Sequence, residues 1–215
     1  MNTTPKPRTL NQEKIMTSAI EIIEQGGLTK LTMRSIATNL NVQVAAIYDH
    51  FNNKQALIIA LQAYYLNEQN QNYKINQNAP TWEEYLISIA QSSRLEFTSR
   101  PYILELFATH SSDSEQSSIN FEKYLTKMTS FGFSLLHAAQ ISHTIYTYIV
   151  GFCNFENGVK ATGIDIERNI STSKINEYPL TSKFFSTINW SVDRDYEFGV
   201  GALIEGFRKY CNGNN

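Results

Sequence analysis

The sequence predicts an all-α chain: three short helices at the N-terminus, two of them joined by a tight turn, and a larger helical domain behind them. Three observations predict it. Apolar residues recur at helical spacing along most of the chain, helix-capping residues punctuate those runs, and no segment carries a hairpin signal or an internal repeat. Of 215 residues, 42% are hydrophobic and 12% aromatic, enough apolar material for one or two cores, which excludes wholesale disorder.

Ile15, Ala19, Ile22 and Ile23 share a face and stop at Gly26-Gly27, so a first helix spans residues 11–25. Thr32 is placed to cap a short second helix carrying Met33, Ile36, Ala37 and Leu40, and Asn41 tolerates the turn after it. Ile47 and Phe51, one turn apart beside Tyr48, mark a third helix. The pattern resumes at Ala56, Leu57, Ala60, Leu61 and Tyr64, then dissolves in the Asn/Gln-rich stretch 67–78, read as a polar loop. Thr81 precedes a helix over 82–99, and Pro101, suited to a first turn, opens one over 102–110. Helices over 115–131 and 134–157 follow, the second apolar on several faces and so buried on more than one side. Residues 158–177 show no period and read as a surface loop, before a short helix at 181–188 and a last one at 193–210.

Charge and cysteine usage exclude several classes. The longest apolar run, Ala56 to Leu61, is far short of the roughly 20 residues that cross a bilayer, and no basic-then-apolar leader pattern is present, so a cytoplasmic protein is expected. Cys153 and Cys211 form no C-x-x-C pair and supply neither a disulfide framework nor a zinc site. The net charge of −2 conceals two unlike segments: six Lys/Arg against four Asp/Glu in residues 1–57, and 12 against 16 in the rest. The basic excess lies with the short helices.

Two short helices joined by a tight turn and preceded by a third form a helix-turn-helix, in which one helix crosses the DNA backbone and the next enters the major groove. Ala37, Val42 and Ile47 suit the inner face. Gln43, Val44, Ala45, Ala46, Tyr48 and His50 are left to face DNA, where Gln43 matches an adenine edge and the small apolar groups match thymine methyls. Thr32, Arg34 and Lys54 flank them as phosphate contacts, with Arg34 also within reach of guanine. The expected division is a helix-turn-helix DNA-binding domain over 1–57, with an ordered core from residue 10, and a larger helical domain over 58–215.

The run Leu31-Thr32-Met33-Arg34-Ser35-Ile36-Ala37, then Leu40-Asn41-Val42, Ala46-Ile47-Tyr48-Asp49-His50-Phe51 and Asn53-Lys54-Gln55-Ala56-Leu57, resembles the signature of the tetracycline-repressor (TetR) family of bacterial transcription regulators. Asn41 stands where that family usually has glycine, a mild change because asparagine also tolerates a left-handed turn. The remainder resembles the tetracycline-repressor branch through Trp82 with Tyr85-Leu86, Gly132-Phe133-Ser134, Gly151 and Phe198-Gly199. The resemblance implies a homodimeric repressor that binds double-stranded operator DNA and a small-molecule effector. The branch holds its drug through magnesium bound to a histidine, and in register that position is Phe107, with two further drug-site positions near Thr147 and Asn70. The metal site is therefore expected to be lost, and no cofactor is expected.

In the same register Ser93, Phe107, His110, Phe121, Tyr124, His143, Tyr146 and Thr147 are expected to line one cavity for an apolar or aromatic effector bound without metal. The plainer alternative is that these rings fill the core. Ser111, Ser112 and Asp113 beside His110 do not make a catalytic triad, since adjacent residues do not converge on one point, and no enzyme is expected. Gly199 and Gly206, seven apart on one face, read as close helix packing rather than a dinucleotide fingerprint. A second homodimer argument is the apolar set Ile141, Ile145, Tyr148, Ile149, Phe152 and Cys153. The competing functional reading is a helical ligand-binding protein without DNA control.

Overall fold

The computed structural model describes residues 10–72, 75–109, 114–162, 177–187 and 191–211. Among the described residues there are ten α-helices and no strand: α1 Gln12–Gly26, α2 Met33–Leu40, α3 Val44–Tyr48, α4 Lys54–Asn72, α5 Trp82–Ser99, α6 Pro101–Thr109, α7 Glu115–Ser130, α8 Leu135–Thr162, α9 Pro179–Thr187 and α10 Val192–Phe207. Short 3-10 turns occupy Leu28–Lys30 and Arg208–Tyr210. By packing, the chain divides into two compact units, Met1–Gln69 with Glu105–Asn120, and Asn70–Leu104 with Phe121–Asn215.

In the first unit the chain's own chemistry sets each boundary. The Asn11 side chain accepts the Lys14 N–H at 2.9 Å to start α1, and Gly27, at φ 73°, ends it by donating its N–H to the Ile23 carbonyl at 2.7 Å. Asn53 accepts the Ala56 N–H at 2.8 Å at the start of α4. Ile15, Ala19, Ile23, Leu31, Ile36, Ile47, Leu57 and Leu61 are buried together in the core. Each of these isoleucine and leucine side chains contributes about 1.5–3 kcal/mol through removal from water. Outside the helical periods, the Asn39 amide donates to Ser18 Oγ at 2.9 Å and to Glu21 Oε2 at 3.0 Å, tying α2 to α1.

The second unit is built on α5, α8 and α10. Thr81 caps α5 by accepting the Glu84 N–H, Ser134 caps α8 by accepting that of His137, and Ser191 caps α10. Trp82 meets Phe133 edge to face with ring centroids 5.3 Å apart. Ile141, Ile145, Ile149 and Cys153 are buried inside this single unit, so the apolar stripe that suggested a dimer face on sequence serves the chain's own core.

Several boundaries move from expectation. Helix α4 continues to Asn72, because a run of Asn and Gln weakens a helix without ending it. Helix α8 continues to Thr162: Glu156 and Lys160 pair at 2.9 Å one turn apart, and the Asn157 amide donates to the Phe97 carbonyl at 2.9 Å. The expected loop therefore loses its first five positions to helix, while 163–176 lie outside the described residues. Pro179 opens α9 earlier than expected, and α10 tightens into 3-10 geometry after Phe207.

Candidate nucleic-acid interface

The helix-turn-helix is shaped by two local backbone choices. Thr32 is extended, its hydroxyl accepts the Ser35 N–H at 2.9 Å, and the Ser35 hydroxyl accepts the Thr32 N–H at 2.9 Å, a reciprocal capping box. Asn41 then adopts φ 54°, ψ 49°, the left-handed conformation, and the Val42 N–H returns to the Ala37 carbonyl at 2.9 Å. Glycine is the usual tenant of this conformation, and asparagine holds it here.

All nine sequence-assigned DNA-facing residues lie in the first unit. Arg34, Gln43 and Ala45 are exposed, as is the Thr32 cap, while Val44, Ala46, His50 and Lys54 are half-buried. Tyr48 is 48% exposed although Ile47 beside it is fully buried. An outward tyrosine forgoes the burial that usually stabilises an aromatic ring, which fits a contact surface better than a core. Gln43 precedes α3 without using its side chain as a cap. Lys54, the first residue of α4, points its Nζ at the Leu28 carbonyl, 3.4 Å away. Sequence reasoning missed the supports behind this surface: Asn39, already described, and Gln12, whose amide donates to the His50 carbonyl at 3.3 Å. Neither lies in an apolar period, so no pattern signals them.

The eight effector residues are distributed more widely. Tyr124 on α7 is buried, donates its hydroxyl to the Ala138 carbonyl at 3.1 Å, and stacks with Tyr85 and Phe121 at 6.2 and 6.3 Å. Burial pushes both tyrosine pKa values up. Phe121 is 44% exposed, so this stack runs from core to surface. The Tyr146 ring is partly exposed, yet burial around its hydroxyl raises that group to about 12. Ser93 is half-buried on α5, and His143 and Thr147 are exposed on α8. His143 lines a surface cavity of about 570 Å³ with His137, Gln140, Thr144, Phe207 and Tyr210. Phe107 belongs to the first unit. His110, with Ser111, Ser112 and Asp113, lies outside the described residues.

A polar centre in the second unit was not foreseen. Arg94 of α5 donates to Glu156 at 2.9 Å and to Asp193 at 2.6 Å, and its guanidinium lies 4.7 Å from the Tyr196 ring centroid. Burial alone would raise the Glu156 pKa, but hydrogen bonds from Arg94 and Lys160 hold it below the ordinary value. Tyr196 donates to the Ala90 carbonyl at 2.7 Å, and the Tyr148 hydroxyl to the Tyr196 carbonyl at 3.1 Å. A Cβ at Gly199 would overlap the Tyr148 ring, so this glycine permits contact within the chain. Gly151, Gly201 and Gly206 instead face open space, with Phe155 and Phe198 exposed on the same two helices.

Comparison with known proteins agrees with this geometry. Residues 15–61 match the family described as bacterial regulatory proteins, tetR family, and residues 76–211 match the tetracyclin repressor-like C-terminal domain. The chain is 23% identical over 210 residues to the class G tetracycline repressor of Vibrio anguillarum, covering 93% of this chain and 94% of that one. Its fold resembles ActR of Streptomyces coelicolor in complex with actinorhodin, with a TM-score of 0.77 at 19% identity over 97% of this chain and all of that one. It also resembles a TetR variant of Acinetobacter baumannii AYE in complex with minocycline, with a TM-score of 0.69 at 23% identity over 94% and 98% of the two chains.

Proposed function

This chain belongs to the tetracycline-repressor family of bacterial helix-turn-helix transcriptional regulators, and from that premise we propose that it is a homodimeric repressor, released from a palindromic operator by a small apolar or aromatic effector. The observation that carries the DNA reading is the outward set Arg34, Gln43, Ala45 and Tyr48 around the buried Ile47. Gln43 to Ala46, Tyr48 and His50 read base edges, while Thr32, Arg34 and Lys54 hold the phosphates.

The open glycines Gly151, Gly201 and Gly206 beside exposed Phe155 and Phe198 support pairing of α8 and α10 with a second copy, since small residues let helices approach closely. For the effector, the Tyr85–Tyr124–Phe121 stack supports an aromatic ligand, and the similar folds of ActR and the TetR variant are in complex with small molecules, actinorhodin and minocycline. The binding is metal-free in this reading: Phe107, at the registered ligand position, has no donor atom. Action on operator DNA places the protein in the cytoplasm.

The reading is tested by mobility shift with the duplex upstream of the protein's own gene. Retention of that duplex at salt concentrations that release unrelated DNA supports it. Equal affinity for both, or none for either, would leave a helical ligand-binding protein without DNA control.

A further inference from the structure

The α1–α2 corner is held from outside the helix-turn-helix. Gly27, with its positive φ, turns the chain out of α1, and Leu28 opens the 3-10 turn that leads to the Thr32 cap. Both polar backbone atoms of Leu28 meet side chains remote in sequence. Its N–H donates to Glu105 Oε2 of α6 at 3.1 Å, 77 residues away, and its carbonyl accepts from Lys54 Nζ at 3.4 Å. The next residue of α6 is fixed as well: the fully buried Gln62 of α4 donates to the Leu106 carbonyl at 3.0 Å.

We propose that Glu105 is a positioning residue for DNA binding: its carboxylate caps the Leu28 amide and so sets the corner from which α2 starts and against which Lys54 is aimed. The inference rests on the reading of this unit as a DNA binder and adds to it a determinant that lies beyond residues 15–61, the segment matched by the N-terminal family. The physics is that of a first-turn donor with no intrahelical partner. The Leu28 N–H is such a donor, and an ionised oxygen satisfies it more strongly than a neutral one. With the amide held, the corner keeps one geometry. Three residues on, Leu31 is fully buried, so a shift at Leu28 would be transmitted to the start of α2 rather than absorbed. Lys54 has three donors and can keep the Leu28 carbonyl while taking a phosphate oxygen. Its position over the phosphate then depends on where Leu28 is held.

The test uses the full-length protein and a duplex selected by the unmodified protein from a random-sequence pool. Glu105→Met keeps the aliphatic stem and loses the acceptor, whereas Glu105→Gln keeps an acceptor oxygen. Affinity for the selected duplex, unfolding temperature and hydrogen exchange at the Leu28 amide are measured for all three proteins. Loss of a charge-assisted hydrogen bond predicts about tenfold weaker binding for Glu105→Met and faster exchange at Leu28. Glu105→Gln should stay within about threefold of the unmodified protein in both. A merely structural role would lower the unfolding temperature and leave the folded protein's affinity alone. Unchanged affinity or unchanged Leu28 exchange in Glu105→Met overturns the proposal, as does an equal loss in Glu105→Gln. Failure of the underlying reading shows elsewhere, as the absence of any selected duplex for the unmodified protein.

Discussion

Gln43 and Lys54 sit eleven residues apart and should fail in different ways. The Gln43 side chain makes no cap hydrogen bond, so its amide oxygen and nitrogen are available to match an adenine edge in pairs. Gln43→Ala should change preference at one base pair of the site by about 1–3 kcal/mol and leave other positions as they were. Lys54→Ala should weaken binding to every sequence and reduce the slope of log affinity against log salt by about 0.9, the signature of one lost phosphate contact. Titrations of single-base variants at two salt concentrations separate the two. Equal losses on all sequences from both substitutions would remove Gln43 from base reading. The outward positions were legible in the sequence because core periodicity assigns Ala37 and Ile47 inward and leaves their neighbours. Glu105 was not, because its partner is a backbone amide 77 residues away and no period connects them.

At the scale of helices, capping chemistry made two starts legible, since Thr32 and Thr81 each accept an amide from their own first turn; Asn11 and Ser191 do the same in the structure without a sequence signal that singled them out. Long-range polar contacts were illegible for the reason that hid Glu105. Arg94 meets Glu156 and Asp193 across 62 and 99 residues. That centre carries a pH prediction. The Glu156 pKa is lowered in the fold, so its pairing stabilises fully above the unfolded carboxyl value and is lost as pH falls through the folded one. Glu156→Gln should therefore cost about 1–3 kcal/mol at neutral pH, and the gap to the unmodified protein should narrow in acid below about pH 4. Denaturant unfolding at pH 7 and in mild acid measures it, and a gap independent of pH would mean the pairing contributes nothing. The glycines of α10 divide the same way. Gly199→Leu must displace Tyr148 and should lower the stability of a single chain, whereas Gly201→Leu meets nothing within it and should impair only association. Circular-dichroism melts beside sedimentation at matched concentrations distinguish the two, and a Gly201→Leu protein that associates normally would move the interface off this face.

For the molecule as a whole, the charge balance predicts weak DNA binding by one recognition unit alone. Residues 1–57 carry an excess of only two positive charges, and the remainder carries an excess of four negative ones. Phosphate attraction per chain is thus expected to be small, and the proposed dimer would gain affinity by setting two units on one duplex. In the proposed dimer, once one unit is bound, the second sees its half-site at high effective concentration, which would raise affinity by about 10²–10⁴-fold without new contacts. The unmodified protein should accordingly bind a duplex with two half-sites at least about a hundredfold more tightly than a duplex with one. Gly201→Leu should bind both duplexes alike at concentrations where it sediments as a monomer, and its affinity for the single half-site should match that of the unmodified protein, because residue 201 is remote in sequence from every DNA-facing residue. Fluorescence titration of the two duplexes at fixed salt gives both ratios. If the unmodified protein binds one half-site as tightly as two, each chain acts alone, and the small open face of α8 and α10 must serve something other than pairing.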